Sequence, residues 1–75
     1  MSNSTQDTIR SSIALMEERL LRASTLASMA HDAMKRGEQN LAIGTLSPVQ
    51  QDITDIDALM RTVVLLHRSR PDRAG

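Results

Sequence analysis

The residues of this chain that could do chemistry are two histidines and a short series of aspartates. His31 is followed by Asp32 in a stretch that is expected to be helical. An exposed imidazole beside an acid that sets its tautomer could accept a phosphoryl group, so phosphotransfer at His31 is one hypothesis. The segment lacks the Asn or Pro that usually follows the histidine in histidine-kinase helices. The favoured interpretation is therefore an ordinary surface histidine.

A metal centre or a catalytic site finds little support in the spacing of these residues. On antiparallel helices His31 and His67 would lie about fifteen residue rises, or roughly 22 Å, apart and could not share an ion. Asp52, Asp55 and Asp57 fall at the expected start of a helix, where acids are ordinary partners of the helix dipole. The sequence predicts no catalytic residue, no cofactor and no metal site, and a protein that is not an enzyme.

Basic side chains near the expected helix ends could contact phosphates. The overall charge does not favour this, because nine Lys and Arg balance nine Asp and Glu, and there is no Phe, Trp or Tyr to stack on a base. A homodimeric four-helix-bundle regulator that contacts nucleic acid is kept as the alternative function. Its candidate contacts are Lys35, Arg36, Arg68, Arg70 and Arg73.

Length and composition restrict the class of protein. The chain has 75 residues and no cysteine, which predicts one small domain over 1–75 without disulfides. Its N-terminus lacks the basic-then-apolar pattern of a signal peptide, and no apolar run approaches the roughly 18 residues of a membrane span. We expect a cytoplasmic protein with no membrane partner.

A long first helix is predicted over about 6–36. Its apolar residues recur at spacings of four and three, which is the rhythm of one helical stripe. Lys35 and Arg36 suit the last turn of a helix, and Gly37 suits the left-handed position that follows it. The predicted stripe consists of Ile9, Ile13, Met16, Leu20, Ala23, Ala27, Ala30 and Met34.

A second helix is predicted over about 48–69, after a connection over 37–47. Ser47 is a good N-cap and Pro48 suits the first helical position. Leu41, Ile43 and Leu46 in the connection are expected to fold back over the end of the helix pair, and short disordered tails are expected at both termini. The stripe of this helix consists of Val49, Ile53, Ile56, Met60 and Val63.

The predicted fold is all-α, an antiparallel two-helix hairpin. One contact stripe leaves more than half of each helix in water, and both helices carry more apolar residues than one stripe uses. The hairpin is therefore expected to complete a four-helix bundle, either by dimerisation or by packing on the helices of a protein partner. The function predicted is a non-enzymatic interaction module, a small adaptor or co-chaperone. Its candidate partner-binding residues are Leu15, Leu26, Met29, Leu59 and Leu66.

Two segments also carry a resemblance to a known family. MEERLLRASTLASMAHDAMKRG, over 16–37, and GTLSPVQQDITDIDALMRTVVLL, over 44–66, resemble the small helical-hairpin co-chaperones of type III secretion needle subunits. The resemblance implies a cytoplasmic, non-enzymatic protein that binds a larger helical-repeat chaperone. It also implies that the pair keeps a needle subunit unpolymerised.

Overall fold

The fold is a hairpin of two long helices. The computed structural model describes residues 4–69, which form α1 (Ser4–Lys35) and α2 (Gln39–Ser69). The helices pack on each other along their length, and contacts such as Arg22 with Asp52 show that they run antiparallel. The prediction of an all-α hairpin is confirmed. α1 begins at Ser4, close to the predicted start, and the outer parts of the predicted tails lie outside the described residues.

The turn between the helices is a glycine-terminated helix end, as the Lys35-Arg36-Gly37 sequence predicts. Gly37 has φ +76°, in the left-handed region. Its N–H donates to the carbonyl of Met34 at 2.9 Å, and the N–H of Glu38 donates to the carbonyl of Ala33 at 2.9 Å. These two bonds form a Schellman motif, which satisfies carbonyls that the end of α1 would otherwise leave unpaired.

The predicted start of the second helix is wrong. α2 begins at Gln39 rather than near residue 48, so most of the predicted connection over 37–47 is helical. The carbonyl of Glu38 accepts from the N–H of Ala42 at 3.0 Å, so α2 starts directly after the turn. Pro48 lies inside α2, where its ring removes one hydrogen bond, to the carbonyl of Gly44. Proline is favoured at the first position of a helix and disfavoured in its interior, which is why Ser47-Pro48 misled the prediction.

The apolar residues of that segment also lie differently from the prediction. Leu41, Ile43 and Leu46 are on the surface of the first turns of α2, exposed by 52%, 61% and 38%. They do not fold back over the end of the helix pair. Because α2 continues to the turn, the helices themselves occupy the space that a returning connection would have covered.

The seam, by which we mean the rows of residues between the two helices, has a regular spacing of three and four. Its members are buried or half-buried, while the residues beside them are mostly exposed. On α1 the seam comprises Ile9, Ser12, Met16, Arg19, Ala23, Leu26, Ala30 and Ala33. On α2 it comprises Ala42, Thr45, Val49, Asp52, Ile56, Leu59, Val63 and Leu66.

The seam encloses only a small apolar core. Among the described residues, the fully buried apolar side chains are Ala30, Ala33 and Ala42, all close to the turn. The Cα atoms extend over 60 × 19 × 13 Å, so the molecule is a slab with a thickness of one helix. A slab has two broad sides, and their composition determines what the hairpin can bind.

Candidate interaction surface

The two sides of the hairpin are defined by the residues that flank the seam. In the heptad abcdefg, a is the first and d the second core position of a helix. In an antiparallel pair of helices, the e residues, which follow d, lie on one side of the pair on both helices. The g residues, which precede a, lie on the other side. With Ile9 and Val49 as first core positions, the e rows are polar at their ends, at Gln6, Gln39 and His67, and apolar between them. The apolar part of the two rows forms what we call the apolar face. It comprises Ile13, Leu20, Ala27 and Met34 of α1 and Leu46, Ile53 and Met60 of α2.

The apolar face is open to solvent along its length. All seven of its residues are exposed; Leu20 reaches 55% and Ile53 58%. Beneath them lie the first core positions of the seam, which are apolar as well: Ile9, Met16, Ala23, Ala30, Ala42, Val49, Ile56 and Val63. This side of the hairpin is therefore apolar both at its surface and at its floor.

The predicted stripes combined this face with half of the seam. Ile9, Met16, Ala23 and Ala30 lie in the seam as predicted, but Ile13, Leu20, Ala27 and Met34 are exposed beside it. On α2, Ile53 and Met60 are exposed in the same way, at 58% and 51%. The seam uses the less apolar positions Ser12, Arg19, Thr45 and Asp52 instead. The prediction assumed that the most apolar stripe of each helix is buried between the two helices. It was wrong because arginines of α1 pair with aspartates of α2, and these ion pairs bring a more polar row into the seam.

The opposite side of the hairpin carries these ionic contacts. The carboxylate of Asp52 is completely shielded from solvent, whereas the side chain of Arg22 is 49% exposed. The Nε of Arg22 donates to Oδ1 and Oδ2 of Asp52 at 3.1 and 3.0 Å, and its Nη2 also donates to Oδ1. The hydrogen bonds from Arg22 and its positive charge hold the pKa of Asp52 below its ordinary value, against the opposing effect of burial.

A second pair lies one helical turn away. The Nε of Arg19 is 3.5 Å from Oδ2 of Asp55, and both side chains are partly shielded. That Nε is buried and makes no hydrogen bond, so Asp55 supports its charge without satisfying its donor. Leu15, Arg19, Asp55 and Thr62 line one shallow groove on this side. Leu15, Asp55 and Thr62 are g residues, so the g residues of both helices lie on the same side of the hairpin.

The five predicted partner-binding residues have different environments. Leu26, Leu59 and Leu66 are half-buried in the seam, where they help to hold the two helices together. Leu15 is half-buried, and Met29 is 53% exposed; both belong to the side of the hairpin that carries the ion pairs. None of the five belongs to the apolar face. Their part in partner binding stays a prediction.

The remaining polar candidates are distributed over the surface. His31 and His67 are exposed, and no group of three or more His, Asp or Glu within residues 4–69 could hold a metal ion. Asp57 pairs with Arg61 at 2.8 Å along α2. Lys35 lies 4.0 Å from Asp32, and Arg36 donates to Glu38. Arg70 and Arg73 lie outside the described residues.

Neither described helix has an apolar stretch long enough to cross a membrane. Large exposed apolar residues also lie elsewhere on the two helices, at Leu21, Met29, Leu41, Ile43 and Leu65.

Two signals in the sequence could have identified these features. An apolar stripe that is wider than one contact seam uses is typical of helices that pack on more than one neighbour. The spacing of Arg19 and Arg22 equals that of Asp52 and Asp55, so the two pairs match across an antiparallel seam. Read together, these patterns would have placed the ionic contacts in the seam and left the apolar face outside it.

Comparison with known protein families, with curated proteins and with solved structures finds no match for this chain.

Proposed function

We propose that this protein is a non-enzymatic interaction module, a small adaptor or co-chaperone, which works by packing its apolar face against helices of another polypeptide. The observation that carries the proposal is the apolar face itself. Seven exposed apolar residues lie along one side of the hairpin, over a floor that is also apolar. An extended apolar surface of this kind marks an interaction site in a folded protein.

The shape of the surface suits a helical partner. Exposed residues at heptad spacing on two adjacent helices form a long shallow groove, into which the ridges of another helix can pack. Met34 and Met60 add side chains that adjust easily to a partner's shape. Helices therefore match this surface better than a small ligand, which needs a concave pocket.

The resemblance to co-chaperones of type III secretion needle subunits is one specific form of this proposal. A hairpin that presents an apolar side can cover the corresponding surface of a larger helical protein. In that form, Leu15 and Met29 would extend the contact around α1 to the opposite side. The apolar face remains the surface on which any version of the proposal depends.

Site-specific photo-crosslinking tests the proposal. A benzophenone-bearing amino acid replaces Leu20 or Ile53 on the apolar face, and Thr25 or Thr54 on the polar surface serves as the control. The variants are irradiated in cells that express the full chain. We expect both face positions to form crosslinks to a polypeptide, and the control positions to form few or none, because the benzophenone reacts only with groups that are in contact with it.

The identity of the crosslinked polypeptide is then read by mass spectrometry. Any polypeptide that is captured reproducibly from Leu20 and Ile53, and not from the controls, supports an interaction module. Failure of both face positions to capture a polypeptide, in variants whose circular dichroism is helical, would refute the proposed function.

A further inference from the structure

We infer that the polypeptide which covers the apolar face is a second copy of this chain, and that two hairpins pack face to face as a symmetric four-helix bundle. This inference rests on the proposed function and adds the identity of the partner. A two-fold axis brings the same surface of each copy together, so the surface has to be complementary to itself. Area, charge and shape can each be compared with that requirement.

The exposed area is the first argument. Six of the seven face residues are large apolar side chains, each exposed by between 38% and 58%. They extend along helices of 32 and 31 residues, which are roughly 45 Å long. An identical hairpin has helices of the same length, so one second copy can cover the face from end to end.

The charge distribution is the second argument. No residue of the apolar face is charged, so two copies of it meet without repulsion between like charges. The pairs formed by Arg22 with Asp52 and by Arg19 with Asp55 lie on the other side of the slab. Packing of the apolar faces therefore leaves these pairs unchanged. A partner selected by charge would instead need complementary charges on this face, and the face has none.

The third argument is the spacing. Both helices present their face residues at intervals of seven, Leu20 with Ala27 on α1 and Ile53 with Met60 on α2. Two copies related by a two-fold axis therefore have matching repeats, as helices in a four-helix bundle do. Small Ala27 lies between the larger Leu20 and Met34, which provides room for a large side chain of the other copy.

A matched pair of methionine substitutions tests the inference. Met60 on the apolar face and Met29 on the opposite side are exposed to nearly the same extent, 51% and 53%. The oligomeric state of the purified full chain, of Met60→Glu and of Met29→Glu is measured by sedimentation at about 100 µM. We expect the wild type and Met29→Glu to be dimers, twice the 8.3 kDa of one chain, and Met60→Glu to dissociate at least tenfold more readily.

A second measurement tests the inference even if Met60→Glu does not fold. The chain has no cysteine, so Ile53→Cys and Met29→Cys each introduce a single reporter thiol. Ile53 lies midway between Leu46 and Met60 in the α2 part of the face. Mild oxidation is expected to link Ile53→Cys into a covalent dimer much faster than Met29→Cys.

The results that would overturn the inference are specific. They are a folded wild-type monomer at 100 µM, a trimer or larger oligomer, or dissociation caused by Met29→Glu and not by Met60→Glu. Equal oxidation rates of the two cysteine variants would also contradict it. If Leu20 and Ile53 crosslink to a different protein while the purified chain is monomeric, the second-copy inference fails and the proposed interaction function stands.

Discussion

The contact of Arg22 with Asp52 determines how the two helices are aligned. Most other seam residues are small or aliphatic, and such side chains would tolerate a shift of one helix along the other. Asp52 is completely shielded and accepts all its side-chain hydrogen bonds from Arg22. A shifted register would leave that carboxylate buried without a partner, which is strongly unfavourable. The ionic pair therefore selects one register, whatever its net contribution to stability.

Replacing one partner and then both separates register selection from stability. Arg22→Met should destabilise the hairpin, because it leaves the shielded carboxylate of Asp52 without its donor. Adding Asp52→Leu should restore most of the loss, since an apolar pair of similar volume often replaces a buried ion pair without cost. Urea unfolding followed by circular dichroism, at equal chain concentrations, gives the midpoints. A double variant that is less stable than Arg22→Met alone would contradict this account.

The same pair predicts how stability depends on pH. Because Arg22 lowers the pKa of Asp52 in the folded state, the pair contributes stability above the ordinary aspartate pKa of about 3.9. That contribution is lost as the pH falls through the lowered folded-state value. We expect the wild type to lose stability between about pH 5 and pH 2 more steeply than the Arg22→Met/Asp52→Leu variant. Parallel curves for the two proteins, measured by thermal unfolding, would show that Asp52 is not responsible.

Two glycines occupy very different positions along the helices. Neither would bring an added Cβ within 4 Å of another group, so backbone conformation alone distinguishes them. Gly37→Ala forces alanine into the left-handed region at φ +76° and should cost about 1–2 kcal/mol. Gly44→Ala lies inside α2 and should stabilise by about 0.5–1 kcal/mol. Urea midpoints that move in the same direction for both variants would exclude this explanation.

The sequence predicts the helices and the turn better than it predicts their boundaries. The rhythm of three and four over α1, and the Lys35-Arg36-Gly37 end, depend on short-range geometry that the residues specify locally. The start of α2 does not, because Ser47-Pro48 locally favours a helix start, although it lies in the helix interior. The choice depends on Glu38, whose N–H completes the glycine turn and whose carbonyl accepts the first bond of α2. That coupling becomes visible only when the turn is built.

The assignment of apolar residues to the seam could not be made from hydrophobicity alone. Each helix presents two adjacent apolar rows and, beside them, a row that mixes apolar with polar residues; the two-helix contact uses one apolar row and the mixed row. Pairing of Arg19 with Asp55 and of Arg22 with Asp52 selects rows that include charged residues. Leu20 and Ile53 are left outside although they are more apolar than the residues that replace them. Cross-seam pairs decide between alternatives that have similar hydrophobicity, and they are properties of two helices rather than of one.

The whole molecule is a single layer, and a single layer is an uncommon solution for a folded domain. Stable domains are usually built from at least two packed layers around an apolar core. Here the fully buried apolar residues among those described are the alanines Ala30, Ala33 and Ala42. A second hairpin on the apolar face would provide the missing layer and bury Leu20, Ile53 and their neighbours. Folding and association are then parts of one equilibrium.

Coupled folding and association predict that thermal stability depends on chain concentration. By mass action, a hundredfold dilution of a folded dimer that unfolds to single chains costs about 2.7 kcal/mol. For a dimer of this size, that corresponds to a decrease in Tm of roughly 5–10 °C. We expect this decrease between 100 µM and 1 µM for the wild type and for Met29→Glu, measured by circular dichroism. Met60→Glu, whose apolar face cannot pair, should have a lower Tm that is nearly independent of concentration. A wild-type Tm that does not change on dilution would mean that one layer is sufficient for folding.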